Sequence, residues 1–290
     1  MMPTRRECLV GAGAAAVGLA MKVRAESAVP RRSPVKVGMF DQSMRRLDPT
    51  AFELAATIGL DGVEVSVGTV DNNLWLRRPE MQEKYKQAAR ESGLAIPSVA
   101  MGVLNRVPLM SEPRAALWVA DTIPVAARLG AKCILLAFFG DGELKAENKD
   151  DMRRVTEVLE ELAPRAEKAG VVLGIESYLS AEDHLKIIDA VGSTSVQVYY
   201  DVFNSGVTAG HDAIKELRLL GGERICQVHF KEGRARLGES GQIDWPAVAA
   251  TLQEIGYDGW IVLETSSPED VVVDTRANLA YVRQLFDGRS

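Results

Sequence analysis

The chain has 290 residues, of which 47% are hydrophobic and 26% are charged, and its formal net charge at pH 7 is −6. This composition is that of a globular protein, and the length is sufficient to bury one large hydrophobic core. Residues 1–25 carry a net charge of +3, so the remainder carries about −9, which excludes a protein that binds nucleic acid through a basic surface.

Residues 1–25 have the three-part plan of an export signal. MMPTRREC is basic, a run of small apolar residues follows, and KVRA ends in a cleavage site after Ala25. Arg5 and Arg6, directly before the apolar run, resemble a twin-arginine signal, which carries proteins already folded; a general secretory signal or a membrane anchor is the alternative. The apolar run of about 13 residues is too short to span a bilayer, and no transmembrane stretch follows it. We therefore expect an exported, periplasmic protein with a linker at 26–34 and one domain at 35–290.

From residue 35 onward, compact apolar runs alternate with stretches in which apolar residues recur at helical spacing. We interpret the apolar runs as strands at 35–40, 62–67, 94–101, 131–139, 171–176, 196–201, 225–230 and 259–264. A helix is predicted after each strand, beginning near Asp48, Pro79, Ala115, Lys149, Ser180, Asp212, Trp245 and Val272. Strands that are apolar throughout are buried on both faces, as in a parallel sheet covered by helices.

Eight strand-helix units in about 255 residues are typical of a single α/β domain with the (β/α)8 TIM barrel fold. A doubly wound open sheet uses the same units, but eight strands exceed the five or six that are usual for it. No linker divides the chain after residue 35 into two domains.

Four of the predicted strands end in a side chain that can bind a metal ion. The strand ends are VVLGIES with Glu176, VQVYYDVFN with Asp201, ICQVHFKE with His229 and GWIVLETS with Glu264. In a (β/α)8 barrel the carboxyl ends of the strands build the active site, so these side chains are expected to converge there. A single charged residue at a strand end is usually a cap or an ion-pair partner, whereas four on successive strands favour a metal site. Three carboxylates and one imidazole suit Mn²⁺, Mg²⁺ or Co²⁺, with Zn²⁺ as a further candidate.

The motifs LGIES, YDVFN, VHFKE and VLET resemble the strand-end motifs of the sugar phosphate isomerase/epimerase family, which has the xylose isomerase-like TIM barrel fold. The family includes ketose 3-epimerases, hydroxypyruvate isomerases, inosose dehydratases and apurinic endonucleases. The resemblance implies one divalent ion held by the four strand-end residues, with Glu176 and Glu264 moving protons from opposite faces of the substrate. An apurinic endonuclease needs more histidines than the 3 in this chain. Its nucleic-acid substrate is negatively charged, which argues against an acidic protein in this role.

The resemblance implies an isomerase or epimerase of a small keto-sugar or related carbohydrate. A divalent ion stabilises the enediolate that forms when a proton leaves the carbon beside a carbonyl, and carboxylates act as base and acid. A dehydratase or lyase on a keto-sugar or inosose is the alternative in the same scaffold, and a non-catalytic sugar-binding barrel is a third. Export from the cytoplasm favours a substrate without phosphate, because sugar phosphates are mainly cytoplasmic. Barrels of this kind commonly pair, so a homo-oligomer is also expected.

Five further residues are candidates for substrate binding, namely Glu64, Asn204, Lys231, Arg234 and Arg236. The resemblance implies that Glu64 contacts the substrate or a metal ligand, although a lone buried acid could equally brace the barrel from inside. Asn204 matches a position where pentulose phosphate epimerases carry asparagine. Lys231, Arg234 and Arg236 follow the seventh strand, where they either hold a phosphate or belong to a solvated loop.

The remaining cysteines and histidines have simpler interpretations. Cys133 and Cys226 lie in apolar runs and are expected to be core thiols rather than a disulfide. His184 and His211 lie on or beside predicted helices and are expected to be exposed.

Overall fold

Eight parallel strands close into a barrel in which each strand pairs with its neighbours in the sequence and β1 pairs with β8. The computed structural model describes residues 35–287, so the predicted export signal at 1–25 and the linker at 26–34 lie outside the described residues. Strands β1 to β8 are Lys36–Phe40, Gly62–Ser66, Ser98–Met101, Cys133–Ala137, Val172–Glu176, Val196–Asp201, Ile225–Phe230 and Trp260–Leu263. The (β/α)8 prediction is confirmed.

A helix follows every strand. Helices α1 to α8 are Ala51–Ile58, Pro79–Ser92, Pro113–Leu129, Lys149–Ala169, Ala181–Val191, Ala213–Leu220, Trp245–Glu254 and Val271–Asp287. Among the described residues, no helix is both long and apolar enough to cross a membrane.

The fourth helix illustrates why these segments fold as they do. The side chain of Asn148 accepts a hydrogen bond from the N–H of Asp151 and caps the start of α4, and Gly170, with φ +66°, caps its end. Val155, Leu159 and Leu162 recur at helical spacing and are buried. Burial of each such side chain contributes about 1.5–3 kcal/mol, which anchors the helix on the barrel.

The two largest differences between predicted and observed element boundaries have local reasons. Strand β3 begins at Ser98 rather than near residue 94, because Pro97 has no N–H to give to a strand ladder. Helix α1 begins at Ala51 rather than at Asp48. The Asp48 carboxylate instead accepts a 2.8 Å hydrogen bond from the N–H of Thr50, which stabilises the turn before the helix.

Side chains alternate between the inside of the barrel and the helices outside it. In β4, Leu135 belongs to a cluster of buried side chains that also contains Tyr199 and Val262, while Ile134 and Leu136 belong to the larger core beneath the helices. The barrel is thus filled, and a ligand has room at the ends of the strands.

Candidate metal centre

The four strand-end residues converge at the carboxyl edge of the barrel. Glu176 and Asp201 are the last residues of β5 and β6, His229 is one residue before the end of β7, and Glu264 directly follows β8. One ligand atom from each lies within 4.8 Å of the ligand atoms of the others. Three of the side chains are buried, whereas Glu264 is 28% exposed and opens the group to solvent.

One nitrogen of the His229 ring faces the other candidate ligands, and the second nitrogen faces Glu64. Its Nδ1 lies 3.2 Å from Oε1 of Glu176 and 3.5 Å from Oε2 of Glu264. On the opposite side of the ring, Nε2 lies 3.0 Å from Oε1 of Glu64. A histidine held in this way offers Nδ1 as the metal-binding atom, because its other nitrogen donates to a carboxylate.

Glu64 lies beneath the group and is fully buried. Its Oε2 accepts hydrogen bonds from Ser98 Oγ, from Tyr199 Oη at 2.7 Å and from Gln227 Nε2 at 3.5 Å. Glu64 thus lies against a candidate metal ligand, and hydrogen bonds from residues on three other strands hold Glu64 in place. Ser98, Tyr199 and Gln227 were not singled out from the sequence, although each faces inward on its strand.

Asn204 lies over two of the candidate ligands in a turn of π-helix at Asn204–Thr208. Its backbone N–H donates to Oδ1 of Asp201 at 2.7 Å, and its Nδ2 donates to Oε1 of Glu176 at 3.4 Å. Both bonds hold carboxylates in place. Since π-helical turns are frequent at functional sites, this local irregularity agrees with the position of Asn204 beside the centre.

Lys231 brings a positive charge to the same carboxylates. Its Nζ lies 2.8 Å from Oε2 of Glu264 and 3.2 Å from Oδ2 of Asp201. Burial opposes the charged ammonium, but the two carboxylates outweigh it and raise the pKa of Lys231 above its ordinary value. Lys231 is therefore a cation at the edge of the centre.

Burial and neighbouring charges shift the pKa values of these acids, and each shift has an identifiable cause. Burial raises the pKa of Glu176, with the charge of His229 opposing the change, and burial likewise raises the pKa of Asp201 against the charge of Lys231. For Glu264, burial is outweighed by the charges of His229 and Lys231, so the pKa is lowered. Burial disfavours the imidazolium of His229, but Glu64 and Glu176 raise its pKa nonetheless.

The donor set fits a divalent cation. Within the part of the chain that the structure describes, Oδ2 of Asp201 is buried and accepts no hydrogen bond, although Nζ of Lys231 is 3.2 Å away. A buried carboxylate oxygen without a hydrogen bond is costly, and a coordinated cation would satisfy it. Three carboxylates and one imidazole match the preference of Mn²⁺, Mg²⁺ and Co²⁺ for oxygen-rich sites.

A cavity of about 630 Å³ opens above the centre, the size of a pocket for a small molecule. The residues that line it are Gln42, Ser43, Arg45, Phe203, Asn204, Lys231, Gly233, Arg234, Glu264, Thr265, Ser266, Ser267 and Pro268. Most of them are polar, so the cavity suits a hydroxylated ligand. The loops after β1 and β8 were missed from the sequence, because loop residues lack the periodicity that identified the strands.

The two arginines predicted to bind substrate have different surroundings. Arg234 is exposed and lines the cavity. Arg236 is not among the described residues that line it; its guanidinium lies 2.6 Å from Asp274 and 3.0 Å from Glu269. These ion pairs tie the loop after β7 to the start of α8.

A third arginine, Arg45, lines the cavity with a backbone φ of +55°. This conformation is uncommon for a residue other than glycine. Its guanidinium lies 3.5 Å from the carbonyl of Ser267, so it joins the loops that follow β1 and β8.

The structure corrects the expectation for His184. The side chain is 3% exposed, with Nε2 2.9 Å from Ser177 Oγ and Nδ1 3.0 Å from the carbonyl of Ser180. Helix α5 turns this face toward the barrel, which the isolated helical pattern did not reveal. His211 is half-buried, with Nε2 3.1 Å from the carbonyl of Tyr178.

Comparison with known sequences supplies a family and named relatives. A model of the family described as the xylose isomerase-like TIM barrel matches residues 52–285. The chain is similar to the 2-epi-5-epi-valiolone 7-phosphate 2-epimerase of an Actinoplanes species, with 25% identity over 206 residues that cover 71% of this chain and 75% of the relative. It is also similar to the L-ribulose-5-phosphate 3-epimerase of Escherichia coli K12, with 27% identity over 256 residues, 82% of this chain and 88% of the relative.

Solved structures share the fold at lower sequence identity. A D-psicose 3-epimerase determined in the presence of D-fructose superposes with a TM-score of 0.73 and 17% identity, over 87% of this chain and 99% of that one. The 3-keto-D-glucoside 4-epimerase of E. coli gives a TM-score of 0.72 and 18% identity, over 86% and 99%. At these identities the likeness shows the fold alone.

Proposed function

The chain belongs to the xylose isomerase-like TIM barrel family, and from this premise we propose that it is a divalent-metal-dependent epimerase or isomerase of a small keto-sugar. One observation carries the proposal: Glu176, Asp201, His229 and Glu264 place their ligand atoms within 4.8 Å of one another beneath a polar cavity. The curated relatives are named as sugar epimerases, which supports an enzyme of the isomerase class.

The residues fit removal of a proton from the carbon beside a carbonyl. The four strand-end residues would hold the ion, which when bound supplies positive charge that stabilises the oxyanion developing on the substrate. We assign the roles of base and acid to Glu176, at the end of β5, and to Glu264, which follows β8 and lines the cavity. Glu264 is partly exposed, so its carboxylate can reach a ligand directly.

The fate of the proton determines the class of product. Return to the same carbon from the opposite face inverts the centre, and return to the neighbouring carbon interconverts aldose and ketose. Loss of a β-hydroxyl instead gives dehydration, which keeps a dehydratase or lyase as the second candidate function. The cavity's hydroxyl and amide groups, on Ser266 and Asn204 among others, suit the hydroxyls of any of these substrates.

We further propose that residues 1–25 are a twin-arginine-type export signal and that the mature enzyme is periplasmic. The support is the sequence of Arg5 and Arg6 before the short apolar run. Such an enzyme would meet free sugars, keto-glycosides or inososes more readily than sugar phosphates. N-terminal sequencing of protein recovered from the periplasm tests this, with Glu26 expected as the first residue; retention of Met1 in the cytoplasmic fraction contradicts it.

The catalytic proposal is tested by proton exchange. Purified protein with Mn²⁺, Mg²⁺ or Co²⁺ is incubated in deuterated water with free and phosphorylated ketoses, and solvent deuterium is expected at one carbon of the product. E176Q and E264Q are each expected to abolish the exchange, whereas E160Q, at an exposed position on α4, is expected to retain it. A protein that binds no divalent ion and loses no activity on chelation would overturn the proposal.

A further inference from the structure

We propose that Cys133 and Cys226 are a site of covalent modification, at which an external disulfide oxidant joins them by a disulfide that crosses the inside of the barrel. Both are free thiols in the structure, and their Sγ atoms lie 3.3 Å apart. Cys133 is the first residue of β4 and Cys226 is the second residue of β7. The pair therefore lies at the amino ends of the strands, away from the candidate metal centre. The inference does not depend on the proposed function.

Two local features bring these sulfurs together across strands that are not neighbours. Strands β5 and β6 separate β4 from β7, and on β5 a glycine, Gly174, lies against both thiols. A Cβ atom at Gly174 would lie 2.6 Å from Sγ of Cys226 and 3.2 Å from Sγ of Cys133, so only glycine leaves room for the pair.

The second feature is an irregularity in the ladder between β6 and β7. Val198 pairs with Ile225 and Tyr199 pairs with Gln227, so Cys226 is an extra residue on β7. A bulge of this kind changes the direction of a side chain relative to the regular alternation. The bulge and the glycine together account for two thiols in contact inside the barrel.

The reduced pair has its hydrogen bonds satisfied, so the reduced core is a stable alternative. The thiol of Cys133 donates to the sulfur of Cys226, and the thiol of Cys226 donates to the carbonyl of Val198 at 3.2 Å. The reduced pair therefore persists until the protein meets an oxidant. Cytoplasmic thiols keep such a pair reduced, whereas an oxidising compartment allows it to close.

The oxidation proceeds by thiol–disulfide exchange. Cys226 is only partly buried, so its thiolate attacks the disulfide oxidant, forms a mixed disulfide and releases one thiol. The thiol of Cys133 then loses its proton and attacks the Cys226 sulfur, which releases the second thiol. The two cysteines lose two electrons and two protons in total, and the oxidant is reduced to two thiols. Burial raises the pKa of the Cys133 thiol, which lowers the fraction of thiolate available for this second step.

The cross-link would join positions 93 residues apart in the sequence. Closing so long a loop restricts the unfolded chain more than the folded one, which raises thermal stability. For a domain of this size we expect the melting temperature of the oxidised protein to exceed that of the reduced protein by about 5–10 °C.

The experiment uses the full chain with Cys8→Ser, so that Cys133 and Cys226 are the remaining thiols. The protein is treated with oxidised glutathione or with dithiothreitol, then denatured and alkylated. After oxidation we expect a monomer whose mass is lower by about 2 Da, no alkylated cysteine and a proteolytic fragment that contains both residues. The increase in melting temperature should be reversed by dithiothreitol.

The matched controls are Cys133→Ala and Cys226→Ala, whose melting temperatures should be the same under both treatments. Should either variant fail to fold, the comparison of the oxidised and reduced parent protein still decides the question. Two alkylated cysteines after oxidation, a glutathione adduct as the final product, a cross-link between chains, or an unchanged melting temperature would each overturn the inference.

Discussion

Nε2 of His229 and Oε1 of Glu64 lie 3.0 Å apart in the interior of the barrel, where His229 is 1% exposed and Glu64 is fully buried. The contact joins β7 to β2 across the barrel, and Nδ1 of the imidazole faces the three candidate carboxylate ligands. A carboxylate behind a histidine ligand fixes the ring and increases its basicity. Glu64 is thus placed to influence, through His229, a metal ion that the four strand-end residues would hold.

Replacement of Glu64 by glutamine should weaken metal binding. Glu64→Gln keeps the size of the side chain but removes the charge that faces Nε2, so we expect affinity for Mn²⁺ to fall about 10- to 100-fold. Isothermal titration calorimetry with Mn²⁺ measures the change directly. Glu160→Gln, on the exposed face of α4, is the matched control and should retain the parent affinity. Equal affinity in the two variants would contradict a supporting role for Glu64.

Lys231 should have the opposite effect on metal binding. Its ammonium lies 2.8 Å from Glu264 and 3.2 Å from Asp201, so it competes with a cation for the same oxygens. At an effective dielectric constant of 20 to 80, two unit charges about 4 Å apart repel each other by roughly 1–4 kcal/mol, so an ammonium opposes a divalent ion by roughly 2–8 kcal/mol. Lys231→Gln is therefore expected to bind Mn²⁺ at least about tenfold more tightly.

The same titration measures this gain, and Lys186→Gln, which removes an exposed cation from α5, is the control. Weaker binding by Lys231→Gln than by this control would show that the ammonium supports the metal centre instead of competing with it. Activity need not follow affinity, because Lys231 also lines the cavity and can contact the substrate.

The sequence predicts the barrel and its four strand-end residues well because both depend on local patterns. An apolar strand that ends in Glu176 or Asp201 is recognisable without knowledge of the fold, and counting eight such units places the ends together. Contacts between distant segments were not predictable in this way. Arg45 reaches the cavity through a turn with positive φ, and Cys226 meets Cys133 only because of a bulge at Cys226 itself and a glycine on β5. Neither contact produces a periodic pattern in the sequence.

A substitution at Gly174 tests how much one such contact between distant segments contributes to stability. A methyl group there would lie 2.6 Å from Sγ of Cys226 and 3.1 Å from Cβ of Tyr199, inside a filled barrel. We expect Gly174→Ala to lower the free energy of unfolding by about 1–3 kcal/mol through overpacking, as measured by urea denaturation. Gly102→Ala is the control, because no described atom lies within 4 Å of its added Cβ. A stability loss no greater than that of Gly102→Ala would mean that the thiols rearrange at little cost.

His184 should make the fold sensitive to mild acid. Burial lowers the pKa of His184 to about 4, despite a hydrogen bond to the carbonyl of Ser180 and the nearby charge of Asp183. Since free histidine titrates near 6.5, the unfolded chain takes up a proton below about pH 6.5 that the folded protein does not accept until about pH 4. Stability is therefore lost as the pH falls through this window, by about 3 kcal/mol at its lower end.

His184→Gln removes this titration while keeping a polar side chain beside Ser177. Urea denaturation at pH 7 and at pH 4.5 should show a steeper loss of stability in the parent protein than in the variant, because only the parent unfolded state gains the extra proton. Lys168→Gln removes an exposed cation from α4 and keeps His184, so it should retain the steep dependence of the parent. If His184→Gln loses as much stability as the parent between these pH values, the acid sensitivity comes from carboxylates whose pKa the fold lowers, such as Glu264 and Asp274, and not from His184.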